Sequence, residues 1–245
     1  MLEDLFIAYY GARKHKRSSI NQLRFELDYE SNLIKLRDDL LSGKYEISKS
    51  ICFIIFDPIQ REIMAADFRD RVVHHLVFNY INPILEKQFI TDSYSCRKGK
   101  GTHYGVNRMK HFLKECSKNY TSDCYILKLD IKGYFMSINK NILWEKLNLM
   151  LSKELPNANL PVSPELLMKW LKQIVFHNST DDCIFKSKKS AWNNLPPDKS
   201  LFNSKQDCGL PIGNLTSQLF SNVYLHNLDV FVKNELNFQY IWLIV

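Results

Sequence analysis

Two short stretches of this sequence carry residue types suited to phosphoryl chemistry, and the first is centred on Asp130. This aspartate ends an alternating apolar and polar run and precedes an aromatic pair, Tyr134 and Phe135. A carboxylate there can hold a divalent cation, and the carbonyl of Ile131 can supply a second hard oxygen ligand. One aspartate does not assemble the two metal ions, about 4 Å apart, that assist phosphoryl transfer. Taken alone, Asp130 is better explained as the cap of the following turn.

The second stretch is residues 209–218, which read Gly-Leu-Pro-Ile-Gly-Asn-Leu-Thr-Ser-Gln. Glycine and proline predict a turn, and apolar residues at helical spacing follow it from Leu215 to Phe231. A turn that opens directly into a helix is a suitable place for a phosphate-bearing ligand.

Hydrophobic periodicity and turn residues predict the elements that position these two stretches. Asp67 is a good N-cap, the glycines of residues 95–101 indicate a loop, and Ser163 with Pro164 is a typical helix start. Residues 178–207 are polar and contain two adjacent prolines, so we expect an excursion outside the core. The predicted elements are helices within residues 1–43, a hairpin of residues 51–56 and 63–65, helices of 67–85 and 104–118, a strand of 123–130, helices of 163–176 and 215–231, and a closing strand of 238–245.

Composition and charge narrow the class of protein. The chain has 245 residues, a formal net charge of +7 and an ordinary hydrophobic fraction of 45%. A basic balance favours a polyanionic partner but is a weak signal by itself. The six cysteines form no Cys-x-x-Cys pair and have no zinc-ligand spacing, so we expect reduced thiols in a cytoplasmic protein. No signal peptide or membrane-spanning apolar run is visible, and no membrane association is expected.

Four ordered segments together resemble the motifs of reverse transcriptases. Residues 127–135 (Leu-Lys-Leu-Asp-Ile-Lys-Gly-Tyr-Phe) resemble the first palm motif, and residues 209–218 resemble the palm motif that follows it. Residues 61–73 (Arg-Glu-Ile-Met-Ala-Ala-Asp-Phe-Arg-Asp-Arg-Val-Val) and 93–103 (Ser-Tyr-Ser-Cys-Arg-Lys-Gly-Lys-Gly-Thr-His) resemble the two fingers motifs. The Ile-Gly-x-x-x-Ser-Gln form, from Ile212 to Gln218, is most similar to the enzymes of diversity-generating retroelements.

The resemblance implies a role for each palm and fingers residue that matches a motif. Asp130 and the carbonyl of Ile131 would be ligands of Mg²⁺, in a two-metal site that is incomplete here. Phe135 would be the steric gate that favours deoxynucleotides, although plain core packing is an alternative for any phenylalanine. Arg61 would reach the triphosphate, for which its planar guanidinium is suited.

The resemblance also assigns residues to the nucleotide and to the template. Gly213 and Gln218 would lie beside the bound nucleotide. Ile212 would touch the incoming base where most relatives carry a hydrogen-bonding glutamine, and a lost hydrogen bond reduces discrimination between bases. Error-prone copying, with misincorporation opposite template adenine, is therefore implied.

A second charged feature has two interpretations of equal weight. The loop that carries Arg97, Lys98 and Lys100 either contacts template phosphates or is a charge-rich surface loop. Arg69 and Arg71 flank Asp70, and for them a solvated ion-pair face is the simpler interpretation.

The sequence departs from the family after Glu235. The Tyr-x-Asp-Asp motif and the thumb are not found, because Ile-Trp-Leu-Ile-Val ends the sequence where further acids are expected. A frameshift, an early stop and a split gene are equally compatible with this ending. Since one aspartate leaves the metals underliganded, we expect the chain to be inactive on its own. The alternative function is a non-catalytic remnant that binds nucleic acid or a protein partner.

The expected architecture is α+β, with right-hand polymerase fingers over residues 1–120 and an incomplete palm over residues 121–245. The palm would contain an antiparallel sheet backed by helices, together with the polar insertion of about residues 178–207. Without its neighbours, the strand at Asp130 would be an exposed edge that pairs loosely or invites association. The partners implied by the resemblance are an RNA template, a DNA primer, deoxynucleoside triphosphates and a retroelement accessory protein.

Overall fold

The computed structural model describes residues 1–14 and 19–236, and these form a mixed α+β fold that is mostly helical. The predicted α+β class is confirmed at this level. The elements in chain order are α1 (Leu2–Arg13), α2 (Ile20–Glu26), α3 (Tyr29–Ser42), β1 (Ser50–Ile55), β2 (Arg61–Ala65), α4 (Phe68–Glu86), α5 (Thr102–Cys116), α6 (Tyr134–Ser137), α7 (Lys140–Leu151), α8 (Pro164–Phe176), β3 (Cys183–Phe185) and α9 (Leu215–Val230). A π-helical turn, Phe231–Glu235, follows α9.

Local signals in the sequence explain where several helices begin and end. The Asp67 carboxylate accepts a hydrogen bond from the backbone N–H of Arg69 at 3.1 Å and caps α4. The Ser163 hydroxyl accepts one from the N–H of Leu166 at 3.2 Å, and Pro164 occupies the first turn of α8. Gly43 ends α3 with a φ of 73°, a left-handed conformation that favours glycine. These three predictions are confirmed.

Helix α4 is the centre of the hydrophobic core. It packs against α1, α2, α7, α8 and α9, and its apolar stripe from Val72 to Leu85 is buried. One hydrophobic cluster includes side chains from α1 at one end of the chain and from α9 at the other. The core therefore crosses residue 120, the predicted boundary between fingers and palm, and that boundary stays a prediction.

The sheet is small, and it differs from the expected antiparallel palm sheet. Strand β1 lies in the middle, with β2 antiparallel on one side, as the predicted hairpin requires, and β3 parallel on the other. The pairing of Ser50 with Cys183 begins the parallel ladder. Since β3 belongs to the polar stretch of residues 178–207, that stretch is attached to the sheet and does not simply leave the core.

Two further predictions about elements need correction. Residues 123–131 form no strand, because no described residue pairs with them, and nearly all of them are exposed. Helix α5 exists as predicted, and apolar residues at helical spacing predict that it buries Val106, Met109, Phe112, Leu113 and Cys116. Of these only Phe112 is buried, while Val106 and Cys116 are exposed. The predicted closing strand of residues 238–245 lies outside the described residues.

Candidate functional site

The docked loop, residues 209–214, lies along β2 and is held there by three hydrogen bonds. The N–H of Met64 donates to the carbonyl of Ile212 at 2.9 Å. The N–H of Ala66 donates to the side-chain oxygen of Asn214 at 2.9 Å, and the Asn214 amide donates back to the carbonyl of Met64 at 3.3 Å. The loop therefore occupies a fixed position beside the strand that begins with Arg61.

Gly213 is required by this close approach. Its φ is +121°, and a Cβ placed on it would lie 2.8 Å from Cγ2 of Ile63. Such a distance is shorter than real Cβ contacts allow, so any larger residue forces the loop away from β2. The glycine that the sequence motif singles out thus has a local physical reason.

The docked loop also meets the segment around Phe135. The N–H of Leu210 donates to the carbonyl of Phe135 at 2.8 Å, and the N–H of Gly209 donates to the carbonyl of Ile138 at 2.8 Å. Phe135 and Ile212 both pack, partly buried, against a small cluster formed by Cys52, Met64, Met136 and Leu201. Residues that are more than 70 positions apart in the chain are therefore neighbours in the fold.

Arg61 and Gln218 lie at the borders of this region. Arg61 is exposed at the first position of β2 and forms no ion pair within the part of the chain that the structure describes. Gln218 is exposed in the first turn of α9. Both side chains are accessible to a ligand, but no described contact ties either one to Phe135 or Ile212.

Asp130 and Ile131 do not join the others. Both are exposed in residues 123–131, which we call the open segment, where no backbone hydrogen bond links residues 125–131 to another described residue. Across residues 1–14 and 19–236, no group of three or more His, Cys, Asp or Glu side chains could hold a metal ion. A single exposed carboxylate does not fit a two-metal centre.

Arg97 has a structural position inside the loop of residues 95–101. It is buried, its Nε donates to Glu86 at 2.8 Å, and its Nη1 donates to the carbonyls of Ile90 at 2.6 Å and Ser93 at 2.7 Å. Its guanidinium also lies over the ring of Phe89. With these contacts, Arg97 holds the loop together and offers little to a phosphate.

The two lysines of this loop differ in exposure. Lys98 is exposed, whereas Lys100 is partly buried and donates to the carbonyl of Thr91 at 2.7 Å. Burial, and secondarily the charge of Arg97, lowers the pKa of Lys100. The predicted template contact therefore rests mainly on Lys98.

Asp70 also differs from its sequence-based interpretation. It is fully buried, and its carboxylate accepts hydrogen bonds from the Tyr45 hydroxyl at 2.9 Å and the N–H of Ser48 at 2.8 Å. Arg69 pairs with Asp39 at 3.0 Å and lies 3.7 Å from Asp70, and its side chain is partly exposed. The predicted ion pairs of Arg69 are therefore present, but Asp70 is not solvated, because its buried carboxylate anchors α4 to the chain that enters β1.

A buried histidine contacts the start of α9, the helix that follows the docked loop, and sequence reasoning missed it. Nδ1 of His74, on α4, lies 2.7 Å from Oγ1 of Thr216, on α9, and both residues are buried. Burial, helped by nearby Arg71, lowers the pKa of His74 to about 3, so the ring is neutral at physiological pH.

A small polar cavity lies next to this pair. It is lined by His74, His177, Ser50, Ser179 and Asn214 among others, and it is large enough for about one water molecule. The Ser179 hydroxyl is buried and has no hydrogen-bond partner among the described residues. The docked loop is thus backed by a small cavity and not by an open ligand pocket.

Comparison with known proteins gives one distant relative to report. No protein-family profile matches the chain. Protein YkfC of Escherichia coli (strain K12) is 23% identical over 227 residues, which cover 92% of this chain and 51% of that protein. The chain therefore spans about half the length of this curated relative, and the relative's name states no activity. Separately, no helix among the described residues is long and apolar enough to cross a membrane.

Proposed function

We propose that this chain is the fingers and part of the palm of an RNA-directed DNA polymerase of the diversity-generating retroelement type. Its substrates would be an RNA template, a DNA primer and deoxynucleoside triphosphates. The reaction class is nucleotidyl transfer with error-prone synthesis of cDNA. A retroelement accessory protein is the expected protein partner.

One observation carries this proposal, namely that three separate motifs meet at the docked loop. The loop accepts a hydrogen bond from Met64, on the strand of the first fingers motif, and donates one to Phe135, at the end of the first palm motif. Nothing in the spacing of these motifs along the sequence requires them to touch. A nucleotide site built from fingers and palm residues does require it, since base, sugar and triphosphate must be held at once.

The geometry gives each neighbouring residue a position consistent with its proposed role. Phe135 is partly buried and anchored through its carbonyl, so its ring is held in place as a steric gate needs to be. Ile212 packs against Met64 and its neighbours and offers an incoming base a shape but no hydrogen bond. Arg61 lies exposed at the start of the same strand and is available to phosphate oxygens.

The acids for catalysis are the missing part of the site. Asp130 is the one carboxylate that the two palm motifs supply, and it is exposed in the open segment. The electrostatic stabilisation that dominates phosphoryl transfer is then largely lacking. We therefore expect the 245-residue chain to bind its substrates without extending a primer at a measurable rate.

The lack of further acids in the palm motifs favours a second candidate function. A chain that has a net charge of +7, one carboxylate in its palm motifs and no metal-binding cluster among its described residues suits a protein that binds nucleic acid without catalysis. Selectivity for deoxynucleotides distinguishes the candidates, because only a polymerase site has a reason to exclude a 2′-hydroxyl.

The test measures that selectivity with Phe135→Val and a matched control. The chain is bound to a fluorescent RNA template–DNA primer, and stabilisation of the complex by the complementary deoxynucleotide or ribonucleotide is titrated. We expect the wild type to prefer the deoxynucleotide and Phe135→Val to reduce that preference about tenfold, a change of ~1.4 kcal/mol. Phe176→Val, at a partly buried ring on α8 beside Trp144, should keep the preference. A wild type without any preference would refute the polymerase proposal and support the binding alternative.

A further inference from the structure

Three aromatic side chains cluster on the surface of the stretch that sequence reasoning treated as a polar excursion. The rings of Phe185 and Phe202 are stacked, with centroids 5.7 Å apart and planes 9° apart. Trp192 meets Phe185 edge to face at 5.5 Å. Phe185 is 42% exposed and Phe202 is 40% exposed, so part of each side chain is accessible to solvent. Such rings are costly to expose without a partner, since each could contribute more if it were covered.

A buried carboxylate fixes this aromatic cluster to the sheet. Glu62, on β2, is 1% exposed. It accepts hydrogen bonds from Nε1 of Trp192 at 2.7 Å, from the Ser200 hydroxyl at 2.8 Å and from the N–H of Leu201 at 2.6 Å. The cluster is therefore part of the folded structure and is preorganised, which reduces the entropy lost when a ligand binds.

Lysines are frequent in the stretch that carries the rings, and only one acidic residue accompanies them. Residues 183–205 contain five lysines and one acidic residue, a net charge of +4 out of +7 for the whole chain. All five are exposed and none takes part in an ion pair among the described residues: they are Lys186, Lys188, Lys189, Lys199 and Lys205. One of them, Lys189, lies over the ring of Phe185 at 5.8 Å.

We propose that this aromatic–lysine surface, formed by Phe185, Trp192, Phe202 and the five lysines, binds single-stranded nucleic acid. Exposed aromatic faces stack on unpaired bases of any sequence, and surrounding cations contact the phosphates between them. An acidic protein would use the lysines but would leave the stacked rings without a matching partner. The surface lies apart in sequence from Lys98 and closely precedes the docked loop, and its binding does not depend on whether the chain is part of a polymerase.

The first arm of the test separates stacking from charge. Binding of labelled oligouridylate and oligothymidylate is measured by fluorescence anisotropy as a function of salt. We expect both to bind equally, because stacking reads no 2′-hydroxyl, and a duplex of the same length to bind more weakly. Phe185→Ala together with Phe202→Ala should weaken single-strand binding about tenfold or more while leaving its salt dependence unchanged. A thermal unfolding curve checks that this variant is folded.

The second arm uses substitutions that cannot disturb the core. Changing Lys186, Lys188 and Lys189 together to glutamine should weaken binding and reduce the slope of log K against log salt by about 2, since each neutralised phosphate contributes ~0.7 on a single strand. The matched control changes three exposed lysines elsewhere, Lys35, Lys87 and Lys153, to glutamine, which removes the same total charge. We expect it to retain most of the affinity.

Three results would overturn the proposal. The first is an equal loss of affinity in the control triple variant, which would indicate a general charge effect. The second is unchanged binding in both surface variants. The third is a duplex that binds as tightly as a single strand. Failure here is distinguishable from failure of the polymerase proposal, because deoxynucleotide selectivity at Phe135 is measured separately on a primer–template.

Discussion

The docked loop and the open segment belong to neighbouring motifs of the same proposed site, yet they meet the rest of the protein in opposite ways. In the docked loop, Leu210 is 1% exposed and the backbone is bonded both to β2 and to the chain after Phe135. In the open segment, Leu129 is 81% exposed and Tyr125 is 90% exposed. The open segment is the more apolar of the two in sequence, with six apolar residues of nine against two of six in the docked loop. Apolar composition alone therefore does not decide burial.

The difference lies in what a segment needs from its neighbours. The docked loop satisfies its polar groups with a strand that the hairpin of β1 and β2 already supplies. An extended segment such as residues 123–131 needs another strand beside it, because its N–H and C=O groups point sideways. No described residue provides that strand, so of the two segments only the docked loop has its backbone paired within the part of the chain that the structure describes.

The largest expected effect is on backbone hydrogen exchange. Amides of residues 125–131 should exchange near their intrinsic rates because no described acceptor binds them. Amides of Met64, Gly209 and Leu210 should be at least ~10³-fold slower, since they open only with the surrounding core. Exchange measured by mass spectrometry or NMR checks this, and comparable slow exchange in residues 125–131 would contradict the open conformation.

A matched pair of leucine substitutions tests the same contrast through stability. Leu210→Ala removes a buried side chain and should lower the free energy of unfolding by about 2–5 kcal/mol. Leu129→Ala, at an exposed position, should change it by less than ~0.5 kcal/mol. Urea denaturation gives both values, and a cost above 1 kcal/mol for Leu129→Ala would show that the open segment is packed.

A matched pair of glycine substitutions tests the contact between the docked loop and β2. Gly213→Ala combines an unfavourable positive φ with a clash against Ile63, and we expect a loss of roughly 1–3 kcal/mol. Gly101→Ala serves as the control, because nothing lies within 4 Å of its added Cβ. Thermal unfolding separates the two, and equal melting temperatures would argue that the loop does not lie against the strand.

The smallest effect concerns a buried carboxyl on α9, the helix that follows the docked loop. Burial raises the pKa of Asp229 to about 7 against the opposing charge of Arg97. The folded state then holds a proton that the unfolded chain loses near pH 4, so stability falls as pH rises from about 4 to about 7 and is level above that.

Asp229→Asn should remove this loss. The free energy of unfolding of the variant minus that of the wild type should therefore be about 1 kcal/mol larger at pH 8 than at pH 5. Taking the difference between the two proteins cancels the titration of the histidines, which both share. Asp130→Asn, on an exposed residue, is the control and should follow the wild type. Parallel pH dependence of all three proteins would contradict the burial of Asp229.

Local signals predicted the helices well, because caps and apolar spacing act within a few residues. Asp67, Ser163 and Gly43 were sufficient to place helix ends, and they did so correctly. The convergence of Phe135 and Ile212 was expected only through the family resemblance, since their contact depends on how distant segments pack.

Long-range partners explain what the sequence did not reveal. The alternation in residues 123–130 indicates an ability to form a strand, but pairing needs a neighbour that local pattern does not report. Burial of Arg97 depends on Glu86 and two carbonyls, and anchoring of residues 192–201 depends on Glu62, far away in sequence. Glu86 lies outside the quoted motifs, and Glu62 lies inside the first fingers motif but nothing in that motif indicates a contact with residues 192–201.

The central claim is that Phe135 and Ile212 form one nucleotide site, and photocrosslinking tests it most directly. The chain is bound to an RNA template–DNA primer, a photoreactive deoxynucleoside triphosphate is added, and adducts are mapped by mass spectrometry. We predict adducts on the peptides that contain Phe135 or Ile212, formed only when the nucleotide complements the template. Adducts confined to other peptides, or formed equally with a mismatched nucleotide, would contradict the claim.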